Sequence, residues 1–448
     1  MKIVLPVHHF PPRYSAGAEL YTLRLAHWLQ DHGHTVEVIC VEAIDQGGPS
    51  ELQAVANCYE GLKVWRLSFN MAHAADASWR YHNPLMLDWF TKHFAREQPD
   101  LVHAQAGYLL GAVPIIAART ANIPMVLTLH DYWFLCPRIT LQRGDGSLCT
   151  HVPTDPAGCA WCINLESRRY RLPDQLTKGL LGRAAQQIAL HQGRQHIADR
   201  RGWLLPQLAE PDAVIAPSKF LAERYAPFVP AERMHVVRYG INVSALRHEG
   251  QPRTDNSLRI GFLGQIAPHK GVHLLIDAFR MLQSHGPALE LHIHGGLEPN
   301  PAYVAKLRSQ AAGDTRICFH GRFSHHQTAA ILAEVDVVVV PSVWYENSPL
   351  AIMEAHAAGK PVVTAALGGM AELVRNGVDG LHFTPNDSAD LACQLQRLID
   401  QPALLSRLRN GIREPASIDD EMRQITGIYE QITEHSAAVN LQELHYHL

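Results

Sequence analysis

Two glutamates, Glu346 and Glu354, bracket the proline-started apolar run in VWYENSPLAIMEAHAAG, residues 343–359. An ionised carboxylate accepts two hydrogen bonds at once, so a glutamate facing vicinal hydroxyls suits a ribose or a hexose. Pro349 fits the first turn of a helix, and Ser348 is placed to cap it, leaving the amides around Leu350 and Ala351 to face an anion. Asn347 belongs to the same loop. A cation stands in a second stretch, RIGFLGQIAPHKG (259–271). There Gly264 permits close backbone approach and Lys270, at the start of the next helix, can meet a phosphate. Neither stretch has the spacing of a dinucleotide fingerprint or a P-loop. Taken alone, the two glutamates are equally well explained as surface charge; for Lys270 a solvated lysine near a helix start is the weaker alternative to a phosphate contact.

Positioning these groups requires strands. The second half alternates LRIGFLG, LELHIHGG, RICFHG, VDVVVVPS, KPVVTA and DGLHF with helix-period segments. The first half does the same with KIVLPV, TVEVICV, LKVWRL, DLVHA, MVLTL, DAVIAPS and MHVVRYG, and a helix is expected over Gly17 to Asp31. Apolar strands alternating with helices imply parallel sheets covered on both faces. The expected class is therefore α/β, with doubly wound domains at 1–246 and 258–418, a polar linker at 247–257 and a helical tail from 419. Such sheets bind ligands beyond the carboxyl ends of their strands. That rule adds Arg322, Gly368 and Gly369 in the second half, and Gly17, His130, Asp131 and Ser218 in the first. Helix capping and packing explain Ser218 and His130 nearly as well.

A chain of 448 residues exceeds one core, and a formal charge of −4 gives no pull toward nucleic acid. MKIVLPVHHF suits a first strand rather than a secretion signal, and the longest apolar run is too short for a bilayer. A cytoplasmic protein follows as the expectation. Arg168, Arg169, Arg171, Lys178 and Arg183, spread among leucines, leave open peripheral contact with the inner face of a membrane, against the alternative of a solvated helix face. Cys136, Cys149, Cys159 and Cys162 fall within residues 136–162 and fit a structural zinc, with His151 as a substitute ligand; four reduced thiols are the rival.

The Glu346/Glu354 pair, the ENSPLAIMEAHAAGKPVV context, FLGQIAPHKG and GGMAELVRNGVDG together resemble the retaining glycosyltransferases of the GT-B fold, specifically family 4. The resemblance implies two Rossmann-like domains facing across a cleft, the second binding a nucleotide-diphosphate sugar. It assigns Lys270 to the diphosphate, Glu354 to the ribose, Glu346 to the transferred sugar, and the Asn347–Leu350 amides to that sugar or its phosphates. The same resemblance gives His130 a contact with that sugar, Gly17 a donor contact, and a saccharide or lipid-linked acceptor to the first domain. No cofactor is implied for catalysis, and the absence of Asp-x-Asp in the chain agrees. Two departures stand out: Gln265 occupies a position where the family often has arginine, and Ala16 one where it often has glycine. A sugar phosphorylase and a non-catalytic nucleotide-sugar binder are the alternatives these departures favour, and Arg322 is the candidate replacement cation.

Overall fold

The computed structural model describes residues 1–44, 51–188, 191–247, 255, 257–283, 285–298 and 300–446. The expected linker at 247–257 lies outside the described residues, except for Arg247, Asp255 and Ser257. The chain forms two compact units. One holds Met1–Pro217, Leu221–Val237 and the tail from Met422, and the other holds Ser218–Phe220 and Arg238–Glu421.

The first unit is built on eight strands: β1 (Lys2–Val7), β2 (Thr35–Ala43), β3 (Gln53–Tyr59), β4 (Leu62–Ser68), β5 (Leu101–Ala104), β6 (Met125–Thr128), β7 (Ala213–Ala216) and β8 (Met234–Val236). They lie in the order β3-β4-β2-β1-β5-β6-β7-β8. Every pairing is parallel except β3 with β4. That antiparallel edge was not foreseen. β3 is polar and mostly exposed, so it carries no apolar signal, and it is joined to β4 through Glu60 and Gly61, both at positive φ, as a tight hairpin requires. β1 is the opposite case: Ile3, Val4, Leu5 and Val7 are wholly buried, as a strand covered on both faces must be.

The second unit has β9 (Ser257–Leu263), β10 (Ala288–His294), β11 (Ile317–Gly321), β12 (Val337–Val340), β13 (Val362–Ala365) and β14 (Gly380–Phe383). Their order, β11-β10-β9-β12-β13-β14, is all parallel and doubly wound, with the winding direction reversing between β9 and β12. In the first unit the reversal falls between β1 and β5.

The last helix, Ile418–Tyr446, passes from the second unit's residues to the first's. Met422, Ile425 and Tyr429 are buried on one helical stripe, each such side chain contributing about 2 kcal/mol by burial. The Tyr429 hydroxyl hydrogen-bonds His103 Nδ1 at 2.5 Å, and His103 Nε2 meets Thr128 Oγ1 at 2.7 Å. Among the described residues no helix is long and apolar enough to cross a membrane.

Candidate functional site

The winding reversal of the second unit is where its chemistry gathers. β9 runs into Gly264, whose amide donates to His294 O at 3.1 Å, and the chain then makes the short turn Pro268–Lys270, closed by Gly271 at φ +71°. A Cβ on Gly271 would lie 1.9 Å from Pro341 O, and Val343 N donates to His269 O at 2.9 Å. The loop after β9 is thus locked to the loop after β12. This lock carries Lys270 Nζ to 2.6 Å from Glu346 Oε1. The same oxygen accepts from Ser342 Oγ and from Trp344 Nε1, both at 2.8 Å. Burial alone would raise the Glu346 carboxyl, but the Lys270 charge and these donors outweigh it and hold Glu346 below the usual range.

Gly368 and Gly369 fix the main chain of the same loop. Gly369 N donates to Glu346 O at 2.8 Å, and a Cβ on Gly369 would fall 1.7 Å from Asn347 O. The helix Leu350–Ala357 follows, with Pro349 as its N-cap and no side-chain cap. The expected Ser348 cap is therefore corrected. Pro349 is extended (ψ 118°), so the helix starts one residue late, and the Ser348 hydroxyl is buried with no hydrogen-bond partner among the described residues. The amides of Leu350 and Ala351 are left uncapped by any side chain. Glu354 sits in this helix with 14% of its side chain exposed, and His325 Nδ1 lies 3.6 Å from its Oε1. Burial pushes the Glu354 carboxyl up, with His325 offsetting only part of the effect. Gln265 and Arg322 are both exposed, and Arg322 makes no hydrogen bond or ion pair among the described residues.

In the first unit the strand ends converge differently. Gly17 opens the helix Gly17–Asp31, whose N-cap Ala16 supplies no side-chain bond. Glu19, in the first turn of that helix, is 3% exposed and lies 3.3 Å from His8 Nε2, while its second oxygen has no partner among the described residues. His130 Nε2 meets Gln105 Oε1 at 3.2 Å, and its ring sits edge-on to Tyr21, centroids 4.9 Å apart. Burial, then the neighbouring His8, lowers the His130 pKa to about 3, so the ring is a neutral donor and acceptor at ordinary pH. The Asp131 carboxylate accepts from Trp133 N at 2.7 Å and so holds its own turn. Ser218 is buried just after β7 and belongs with the second unit.

Ser342, Trp344, His8 and Gln105 were missed by the sequence reading, although each directly follows or closely trails an apolar strand. Also missed was a set of three imidazoles, His292, His294 and His320, whose ring nitrogens lie within 4.8 Å of one another at the ends of β10 and β11. His292 Nδ1 is 2.9 Å from His320 Nε2 and its Nε2 is 3.0 Å from Glu290 Oε2. The period-2 placement of 292 and 294 was the available signal.

Residues 15–245 match the family model for Glycosyltransferase Family 4, and residues 246–414 match that for Glycosyl transferases group 1. A glycogen synthase of Mycobacterium tuberculosis is 29% identical over 96% of this chain and 94% of its own. A D-inositol 3-phosphate glycosyltransferase of Frankia alni is 28% identical over 89% of each chain. Among solved structures, sucrose-phosphate synthase from Thermosynechococcus elongatus has a TM-score of 0.64 at 18% identity, covering 97% of this chain and 100% of that one. Anabaena HepE in complex with UDP and glucose has a TM-score of 0.61 at 21% identity, covering 95% and 98%. The Family 4 model alone spans more than half of the chain, so the protein belongs to the glycosyltransferases, with the two-domain Rossmann-like fold named GT-B. It is an enzyme, a nucleotide-sugar glycosyltransferase.

Proposed function

We propose that the protein transfers a hexosyl or related sugar from a nucleotide-diphosphate sugar to a saccharide or lipid-linked hydroxyl, with retention of anomeric configuration. The observation that carries this reading is the Lys270–Glu346 pair, seated with Ser342 and Trp344 beside the uncapped start of the helix Leu350–Ala357. In this reading Lys270 and the Leu350 and Ala351 amides meet the diphosphate, whose charge grows as it departs. Glu354, buried and short of donors, accepts from the two ribose hydroxyls. Glu346, its Oε1 already held by three donors, offers the remaining oxygen to the sugar. Arg322 supplies the second cation that Gln265 does not, and Gly264 lets the backbone approach the phosphates.

The bond between the anomeric carbon and the diphosphate oxygen breaks. A bond to the acceptor oxygen forms on the same face, and the acceptor proton passes to a diphosphate oxygen. Fixed cation and amide charges stabilise this step without reorganising, and none of it calls for a divalent ion. UDP is the nucleotide to try first, because HepE was solved with it. The first unit's cluster of His8, Glu19, Gln105 and His130 handles the hydroxyls of the saccharide substrates.

The test is to mix the purified chain with single nucleotide sugars and a set of oligosaccharide and lipid-linked acceptors, without added divalent cation, and to follow the product anomeric proton by NMR. Transfer with the donor's anomeric configuration is expected. Turnover of sugar 1-phosphates alone would replace the reading with a phosphorylase, and nucleotide binding without transfer to any acceptor would make the chain a binder.

A further inference from the structure

We propose that Cys136, Cys149, Cys159 and Cys162 form a closed tetrahedral site for a single zinc ion in the first unit. The four residues come from three separate pieces of chain. Cys136 follows the turn after β6, Cys149 follows the small bridge between Gln142 and Leu148, and Cys159 and Cys162 share one turn of the helix Pro156–Asn164. All four nonetheless line one cavity of about 20 Å³, together with Leu135, Leu141 and Val152; their sulfurs are not drawn within 4.8 Å of one another as the three imidazoles are, so the ion would pull them in as it binds. That volume takes one water-sized occupant and is far too small for an iron–sulfur cluster. None of the four is in a disulfide.

Charge around the cavity suits such a centre. Four thiols binding one zinc ion release four protons, and the resulting centre carries two negative charges. Arg143 lines the same cavity, and Arg201 Nη2 donates to Cys159 Sγ at 2.9 Å while its Nη1 donates to Pro153 O at 2.7 Å. Both guanidinium groups are where a thiolate-rich centre needs compensation. Cys149 Sγ donates to His151 O at 3.1 Å, a bond it would give up on losing its proton. With every coordination position filled by sulfur the ion has no open place for substrate. It cross-links residues 136–162, a loop whose first residue is tied back to the strand end by Cys136 N donating to Tyr132 O at 2.7 Å, just beyond His130 and Asp131.

The full chain, purified under reducing conditions without chelator, should contain about one zinc by mass spectrometry and release it as a mercurial reagent titrates about four thiols beyond the exposed Cys58 and Cys393. Cobalt exchanged into the wild-type chain should give thiolate-to-cobalt charge-transfer bands with the intensity of a tetrahedral site. Cys162→Ser should lower the zinc content at least about fivefold. Because misfolding of that variant would also lower its zinc, the cobalt spectrum and thiol count of the wild type stand as the independent readout. A metal-free chain that takes up neither zinc nor cobalt while its four thiols react freely would overturn the proposal. So would a Cys159–Cys162 disulfide in protein kept reduced, or iron with sulfide in place of zinc.

Discussion

Glu346 and Glu354 occupy the same loop and helix yet are held in opposite electrostatic states. Glu346 is buried against a cation and two neutral donors, which keep it ionised; Glu354 is buried with only His325 nearby, which leaves it reluctant to ionise. A partner that donates two hydroxyls would relieve the second state and not the first. Lys270→Ala should therefore cost about 10²–10³ in kcat, as removal of a preorganised charge does. It should also lower Tm, since it strands a buried carboxylate. Glu354→Gln should act on binding instead, raising donor KM roughly tenfold with kcat little changed, as steady-state kinetics on the two variants would show. Equal effects on both parameters in both variants would refute the division of roles. The sign with pH is fixed as well. The Glu354 pKa lies above its ordinary 4.5, so donor affinity should begin to fall on acidification at a higher pH than an exposed glutamate would give.

At the scale of elements, the loops do what the strands only aim. Gly271 and Gly369 have no room for a Cβ, and each is pressed on the main chain of the loop after β12. Gly369→Ala must push a methyl into Asn347 O, so the loop carrying Glu346 has to move. We expect a loss of at least about 2 kcal/mol in unfolding free energy, with donor affinity falling in parallel. Gly17→Ala is the contrast: nothing lies within 4 Å of its Cβ position, and stability by denaturant titration should stay within about 0.5 kcal/mol of the wild type. These elements differ in how far the sequence disclosed them. The apolar strands, the helix from Gly17 and the strand-end rule that selects Lys270 and Glu346 were all legible, because burial on both faces writes itself as unbroken Val, Ile and Leu. β3 was hidden because an exposed edge strand needs no apolar face. The ion pair itself was hidden because two side chains 76 positions apart meet only once Gly271 has pinned one loop to another. The missed Ser348 outcome came from a competition the sequence does not display, in which proline takes the cap position by conformation alone.

Across the whole molecule, the acid side of the stability curve should be set by buried neutral imidazoles rather than by the surface. His103 is fully buried between Thr128 and Tyr429, and burial lowers its pKa from 6.5 to about 3; His130 falls to about 3 and His294 to about 4 for the same first reason. Below pH 6.5 the unfolded chain binds protons at these positions while the folded chain does not. Their stabilising contribution is thus complete above pH 6.5 and drains away as pH falls toward 3. His103 matters most to the architecture, because it ties the last helix to β5 and β6 through hydrogen bonds that a protonated ring could not keep in the same form. His103→Gln keeps donors and acceptors near Tyr429 and Thr128 without a titrating group. Its unfolding free energy, measured by denaturant titration from pH 7.5 to 4.5, should start lower than that of the wild type, because the amide fits the pocket less well. It should then decline less steeply, so the two curves converge as pH drops. The carboxylates that also titrate in this range are common to both chains and cancel in the comparison. Parallel curves would mean that His103 is already charged in the folded protein, and that the hydroxyls of Tyr429 and Thr128 hold an imidazolium rather than a neutral ring.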